Sequence, residues 1–380
     1  MARYHGHYQT PKRKKGGKIA LIVIIILLVL VVGIAAAGKF AVDYIGSKVT
    51  PADNEVNPTA TIDPAWLGNF EETEPTEETE EPTTVPTTLP YIPSDQDIVN
   101  ILVVGQAARA GEEHHMADSM MLLTVNKTSK TLHLSSFLRD AYVDMPDYRD
   151  SKGTLHRCGW NRINVVYNLG WTWDGTAGAM AMMSDCIKNN FGVEIDHCIE
   201  VDFDCFVKAI NILGGVKVEL TEAEAKYLNG EYENTLQNVE VGKNLLYGGA
   251  ALAYARMRKA DGDGDSDIRR TERQRNLIAA LVKQCTKMSF DELKTLAEEV
   301  LPMITTDMTP DEITTCIWEL LPLLPELSIS TGTCPVEKTY RGELIDLNGY
   351  QSSVLKFYPE QNKKLLMPIT EGIPEETTAE

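Results

Sequence analysis

From Ile19 to Ala37 the chain runs for nineteen residues without one polar side chain, and almost all of them are aliphatic. A helix of that length crosses the hydrocarbon core of a bilayer. Six Lys and Arg residues and no acid precede it (Arg3, Lys12, Arg13, Lys14, Lys15 and Lys18). That bias keeps the N-terminus cytoplasmic and sends everything after Lys39 to the other side. Ala35-Ala36-Ala37-Gly38 also suits a signal peptidase, but the apolar run exceeds the usual length of a signal segment. The expectation is a single-pass anchor over residues 19–38 in the cell membrane, behind a basic cytoplasmic tail, residues 1–18. Either reading exports the rest of the chain.

Past the anchor the composition shifts twice. From Val49 to about Pro93 it is Pro, Thr and Glu, with EETEPTEETEEPTTVPTTLP at its heart. Such a stretch has no apolar face to bury. It predicts a disordered linker, residues 49–94, that holds a folded domain away from the bilayer. The last residues, 367–380, read as a short disordered tail. The formal net charge of −19 argues against nucleic acid as a partner. Seven cysteines (Cys158, Cys186, Cys198, Cys205, Cys285, Cys316 and Cys334) show neither CxxC nor Cys/His zinc spacing. In an oxidising compartment some are open to disulfide pairing, and the odd count leaves at least one free.

Folded sequence is expected from Asp95 to about residue 366. Ile98–Val104, Met120–Val125, Thr131–Phe137, Cys198–Val201 and Val216–Leu220 read as strands. Gly175–Asn190 and Asp202–Leu213 read as helices, with further helices at Asp291–Leu301 and Pro310–Leu321. This alternation predicts an α/β layered domain around a central sheet.

The stretch ALAYARMRKADGDGDSDIRRTERQRNLIAALV carries Arg256, Arg258, Arg270, Arg273 and Gln274. Read as a strand, its first part puts Arg256 and Arg258 on one face. The second part is an amphipathic helix with Leu277, Ile278, Leu281, Val282 and Cys285 on its apolar stripe, which makes Cys285 a core residue. Continued backwards, that stripe passes through Gln274 and Arg270. Polar groups at the head of a core-facing stripe need a partner, and guanidinium groups grip phosphate oxygens in pairs. A phosphate or pyrophosphate site is one reading; pairing with Glu272 and the acids of DGDGDSD is the other. The same acids, from Asp261 to Glu272, resemble a twelve-residue calcium loop. Ser266 stands where that loop needs glycine, so an acidic surface loop is expected.

Taken in order, several motifs resemble the LytR–CpsA–Psr family of bacterial cell-envelope assembly. They are NILVVG at 100–105, ADSMMLLTVN at 117–126, LSSFLRDAYVDMP at 134–146 and RIN at 162–164. IEVDFDCFVKAINILGGVKVEL at 199–220, GGAALAYARMRK at 248–259, RRTERQRNLIAAL at 269–281 and YQSSVLKFYPEQNKKLL at 350–366 follow. The resemblance implies one α-β-α layered domain around a central mixed sheet. It also implies a phosphotransferase that moves a glycopolymer such as teichoic acid, as its sugar-1-phosphate, from a polyprenyl pyrophosphate carrier to a peptidoglycan hydroxyl. By matching positions it implies that Arg139, Arg256, Arg258, Arg270 and Gln274 grip the pyrophosphate. Asp118 falls where the family places a carboxylate linked to Mg²⁺, and with Arg139 and Arg256 it forms the implied catalytic set.

Two positions depart from the family pattern. Ala107 stands where an acid is common, and Met116 where an arginine is common; His114 and His115 lie between them. The alternative reading is therefore a catalytically weakened binder of the carrier lipid, or a regulatory module. Trp171-Thr172-Trp173 reads as an aromatic loop, either stacking on sugar rings or buried.

Overall fold

The computed structural model describes residues 47–56, 62–69, 83–84, 97–106, 116–230, 237–258, 266–285, 288, 295–296, 298–320, 323, 326–347 and 349–370. The basic tail, the Ile19–Ala37 run, Ala107, His114, His115 and the acids from Asp261 to Asp265 lie outside them. The helix expected over Asp291–Leu301 falls largely outside them too. Among the described residues no helix is long and apolar enough to cross a membrane.

Seven strands form one mixed sheet. In chain order they are β1 (Thr50–Pro51), β2 (Ile98–Gln106), β3 (Ala117–Asn126), β4 (Thr131–Phe137), β5 (His197–Val201), β6 (Ile304–Thr306) and β7 (Ser328–Cys334). Their spatial order is β1-β6-β5-β2-β3-β4-β7. β5 lies parallel to β2, β7 lies parallel to β4, and β3 runs antiparallel between β2 and β4. The carboxyl ends of β2, β4, β5 and β7 therefore share one edge. This is where open α/β sheets place their ligands.

Strict alternation along β2 divides the core into two layers. Ile101 and Val103 face one way, against α2 (Phe203–Ile212), α4 (Gly248–Arg256), α5 (Ser266–Cys285) and α6 (Pro310–Leu320). Leu102 and Val104 face the other way, against α1 (Ile163–Phe191) and α7 (Pro359–Thr370). The mixed sheet between two helical layers is the architecture the sequence predicts. Between α2 and α4 come the antiparallel strands Val216–Leu220 and Gly242–Leu246, with α3 (Glu222–Gly230) joining them.

Helix α1 begins twelve residues before the expected Gly175 (175 − 163 = 12). Its first half is rich in β-branched and aromatic residues of modest helix propensity. Nearly all of it is buried, so no single apolar face shows in the sequence. The helix kinks at Asp174 and Gly175, where Gly175 takes φ 61°. Trp171 and Trp173 thus lie on a helix, not a loop. Trp173 is buried, with its ring 4.2 Å from His156 and 5.8 Å from Tyr148.

The kink also receives the N-terminal segment, which corrects the expectation of disorder from Val49 onward. Thr50–Pro51 pairs parallel with β6, and Ala52 N donates to Thr306 O at 2.8 Å. Ala177 N donates to Asp53 O at 2.8 Å. A Cβ on Gly175 would stand 2.6 Å from Glu55 O, so the slot requires glycine. A turn of 3-10 helix at Pro64–Leu67 is seated by Asn161, whose Nδ2 donates to Ala65 O and Trp66 O. The folded unit therefore includes residues 47–56 and 62–69. At the other end α7 continues through residues 367–370, expected in the tail, and Thr370 is buried. Hydrogen bonds and a few scattered apolar side chains, Val49, Ala52, Ile62, Trp66 and Leu67, hold these N-terminal segments, and with no regular apolar period among them composition did not reveal them.

Cys158, Cys186, Cys198, Cys205, Cys316 and Cys334 are all buried free thiols, so no disulfide forms among the described cysteines. Burial pushes the thiols of Cys158 and Cys316 up to about 12, with nearby carboxylates adding to the effect.

Candidate active site

The shared strand edge collects the charged residues. Asp118 and Ser119 lie at the start of β3, and β4 runs straight into Leu138-Arg139-Asp140-Ala141. That loop is pinned through its own backbone. Leu138 N donates to Cys334 O at 2.8 Å, while Ile163 N and Asn164 N of α1 donate to Ala141 O and Arg139 O. Leu355 N donates to Asp140 O at 2.7 Å. A loop with its carbonyls so engaged holds its side chains in fixed directions.

Arg139 stands between two carboxylates. Its Nη1 lies 3.8 Å from Asp118 Oδ1, and its Nε lies 3.7 Å from Asp140 Oδ1. Arg162 reaches the same Asp140 oxygen from the start of α1, with Nη1 at 3.6 Å. All three separations exceed the ~2.7–2.9 Å of a direct charge-assisted hydrogen bond. The cluster is electrostatically matched but loosely held, and its side chains are one-fifth to one-third exposed.

From the opposite layer α5 brings Arg270 and Gln274. Arg270 is buried, and its Nη2 donates to Asp118 O at 3.3 Å. Gln274 accepts from Ser119 Oγ at 3.1 Å and donates from Nε2 to Ala255 O at 3.4 Å. Direct contacts thus bring together Asp118, Arg139, Arg270 and the neighbour of Gln274 on β3.

Arg256 and Arg258 are not on a strand. ALAYAR is the end of helix α4, where alanine-rich sequence favours helix. Arg256 is its last residue, and Met257 turns the chain out at φ −60°, ψ 128°. Both arginines are exposed and Met257 is fully buried. The Arg256 guanidinium carbon lies 4.8 Å from the centroid of the Phe203 ring. Arg273, the remaining arginine singled out in that stretch, pairs with Glu224 on α3. Ser266 to Glu272, the second half of the expected calcium-loop pattern, form the first turns of α5. Met116 packs against the core beneath α1.

Several residues at this edge carried no role in the sequence reading. Arg162 was visible only as the first letter of RIN. Glu200, an acid inside the apolar strand CIEV, accepts from Tyr167 Oη at 2.5 Å and Gln106 Nε2 at 2.9 Å. Burial raises the Glu200 carboxyl above its ordinary range and the Tyr167 phenol well above its own. Among the described residues no group of three or more His, Cys, Asp or Glu could hold a metal ion.

Comparison with known proteins fits this geometry. A family profile described as the LytR_cpsA_psr family matches residues 68–363. The chain is 31% identical over 228 residues to polyisoprenyl-teichoic acid–peptidoglycan teichoic acid transferase TagU of Halalkalibacterium halodurans, covering 60% of this chain and 65% of that one. It is 30% identical over 196 residues to TagU of Bacillus subtilis, covering 51% and 54%. The chain thus spans less than two thirds of the length of these curated relatives. A solved structure of TagT bound to LIIa-WTA superposes with a TM-score of 0.55 at 20% identity, over 77% of this chain and 98% of that one. Another, a LytR-CPS2A-psr family protein with bound octaprenyl pyrophosphate lipid, gives 0.51 at 17% identity, over 77% and 97%.

Proposed function

The chain belongs to the LytR–CpsA–Psr family, and from that premise we propose that it is a membrane-anchored glycopolymer phosphotransferase. The reaction takes a sugar-1-phosphate from a polyprenyl pyrophosphate carrier and joins it to a peptidoglycan hydroxyl. A phosphodiester forms and polyprenyl phosphate leaves. One observation carries the reading: Asp118, Arg139, Arg162 and Arg270 converge at the carboxyl edge of the co-directional strands. The relatives' names and the octaprenyl pyrophosphate bound to a protein of similar fold supply the chemical class.

Phosphoryl transfer asks a protein mainly to neutralise charge and align the reacting groups. Arg139, Arg162 and Arg270 face the pyrophosphate from two layers of the fold, and Arg256 and Arg258 close it from the end of α4. Gln274 orients the β3 edge through Ser119. Asp118 faces Arg139 at 3.8 Å and, among the described residues, is the candidate to accept the proton of the acceptor hydroxyl. Its side chain is one-third exposed, which fits Mg²⁺, an ion that takes one or two carboxylates and completes its shell with phosphate oxygens and water. Bound there, the ion would draw off charge from the phosphoryl oxygens.

The apolar run at Ile19–Ala37 anchors the protein, and the catalytic domain lies outside the cell. Residues 47–56 belong to the fold. Folded sequence therefore resumes soon after the apolar run, which keeps the site close to a carrier whose headgroup sits at the bilayer surface. The rival reading, a carrier binder without turnover, draws on Met116, which packs into the core where the family commonly has an arginine.

The test is thermal unfolding of the full chain in detergent with geranylgeranyl pyrophosphate, in Mg²⁺ and in chelator, alongside an assay for released polyprenyl phosphate. Ligand at a hundredfold excess over Kd stabilises by about 2.7 kcal/mol. A Mg²⁺-dependent rise with product release supports the transferase. A rise indifferent to Mg²⁺ and without release supports the binder, and no rise overturns both.

A further inference from the structure

The Arg273–Glu224 pair lies outside the set that faces the pyrophosphate, yet its hydrogen bonds lead back to that set. Helix α4 ends at Arg256, and the last carbonyls of a helix find no partner within it. Helix α5 supplies two partners at this end. Gln274 Nε2 donates to Ala255 O at 3.4 Å, and Arg273 Nη1 donates to Met257 O at 3.1 Å. Met257 is fully buried between the exposed Arg256 and Arg258. Fixing its carbonyl fixes the direction in which both neighbouring side chains leave the backbone.

Arg273 cannot do this unaided. Only 4% of its side chain is exposed, and a guanidinium so buried needs a counter-charge. Glu224 supplies it. Oε1 accepts from Arg273 Nε at 2.7 Å, while Oε2 accepts from Thr221 N at 2.9 Å, which seats the carboxylate at the start of α3.

We propose that Glu224 and Arg273 are positioning residues: a buried ion pair that anchors the Met257 carbonyl and sets Arg256 and Arg258 toward the pyrophosphate. The choice of ligand rests on the functional reading above; the anchoring does not.

The experiment uses the full chain in detergent micelles and the paired replacement Glu224→Leu with Arg273→Met. Changing both partners avoids leaving one buried charge. Arg273→Lys is the second variant, because lysine keeps the charge but lacks the planar fork that reaches two acceptors. Two readouts are taken: Kd for geranylgeranyl pyrophosphate, and hydrogen exchange across residues 255–258. Both variants should raise Kd by about tenfold or more, the scale of a ligand group misplaced from a distance. Exchange at the Met257 amide should speed up. In an Arg256→Ala/Arg258→Ala background the same replacements should change Kd less than about twofold, because the groups they position are gone. Equal losses in both backgrounds would overturn the proposal, as would unchanged exchange across residues 255–258. If the wild-type chain ignores the probe, the functional reading falls, and exchange alone then decides the anchoring.

Discussion

Two arginine clusters, one around Arg139 and one at Arg273, differ in how tightly their carboxylates hold them. Among Asp118, Arg139, Asp140 and Arg162 the nitrogen-to-carboxylate separations are 3.6 to 3.8 Å, and the side chains are partly exposed. At Arg273 the separation is 2.7 Å, with 4% and 10% of the two side chains exposed. The first cluster balances charge while keeping guanidinium donors within reach of an incoming anion. The second is closed, with its carboxylate oxygens and two guanidinium nitrogens used inside the protein. Residue type alone does not separate an arginine that binds from one that builds; the distance to its counter-charge does.

The comparison breaks most visibly if the closed pair is cut. Glu224→Ala leaves Arg273 buried without its counter-ion and should cost about 3–5 kcal/mol of stability. Chemical denaturation of the full chain reads this directly. A loss below about 1 kcal/mol would mean the pair is not the scaffold its geometry describes.

The open cluster should show the opposite signature. Arg139→Ala or Arg256→Ala should weaken polyprenyl pyrophosphate binding by about 1.5–3 kcal/mol, the cost of a lost charge-assisted hydrogen bond. Unfolding should move by no more than about 1 kcal/mol, since partly exposed and loosely paired charges contribute little to stability. Arg270→Ala should fall between the two patterns. Its guanidinium would be lost to the ligand, but its buried stem and its bond to Asp118 O also join α5 to β3. Isothermal titration and denaturation on the same samples separate the two quantities. A variant of Arg139 that unfolds readily but binds normally would reverse the comparison.

These outcomes also mark how far the sequence could be read. The strand cores were legible because IVNILVV and TLHLSSF match strand length and composition, and Thr131–Phe137 came out as expected. Arg270 and Gln274 were legible because polar groups at the head of an apolar stripe demand partners, and both are engaged at the strand edge. Arg273 sits on the same helix one position from Gln274, and its partner Glu224 is 49 residues away in the chain. No local pattern could distinguish it from a ligand. ALAYARMR was misread as a strand because alternating exposure around Met257 imitates one at the point where a helix ends. Residues 47–56 were hidden by composition, because a two-residue strand, the kink at Gly175 and the isolated apolar contacts of Val49 and Ala52 hold them rather than a periodic apolar face.

The third buried arginine of α5 sharpens the comparison by the smallest margin. Arg275 is 8% exposed, and its Nη1 has no hydrogen-bond partner among the described residues. Its charge is felt by His133 on β4, whose Nδ1 lies 2.7 Å from Ser330 Oγ. Burial, and then the positive charge of Arg275, lower the His133 pKa from 6.5 to about 4. The unfolded chain therefore takes up this proton near pH 6.5 and the folded protein only near pH 4. Stability from this group is complete above pH 6.5 and declines as the pH falls toward 4, because the unfolded state binds the extra proton in that window. His133→Gln should flatten that part of the stability profile, and the difference between the two profiles isolates the histidine from the carboxylates that titrate nearby. Parallel profiles would mean that His133 titrates alike in the folded and unfolded chain, so that neither its burial nor the charge of Arg275 acts on it.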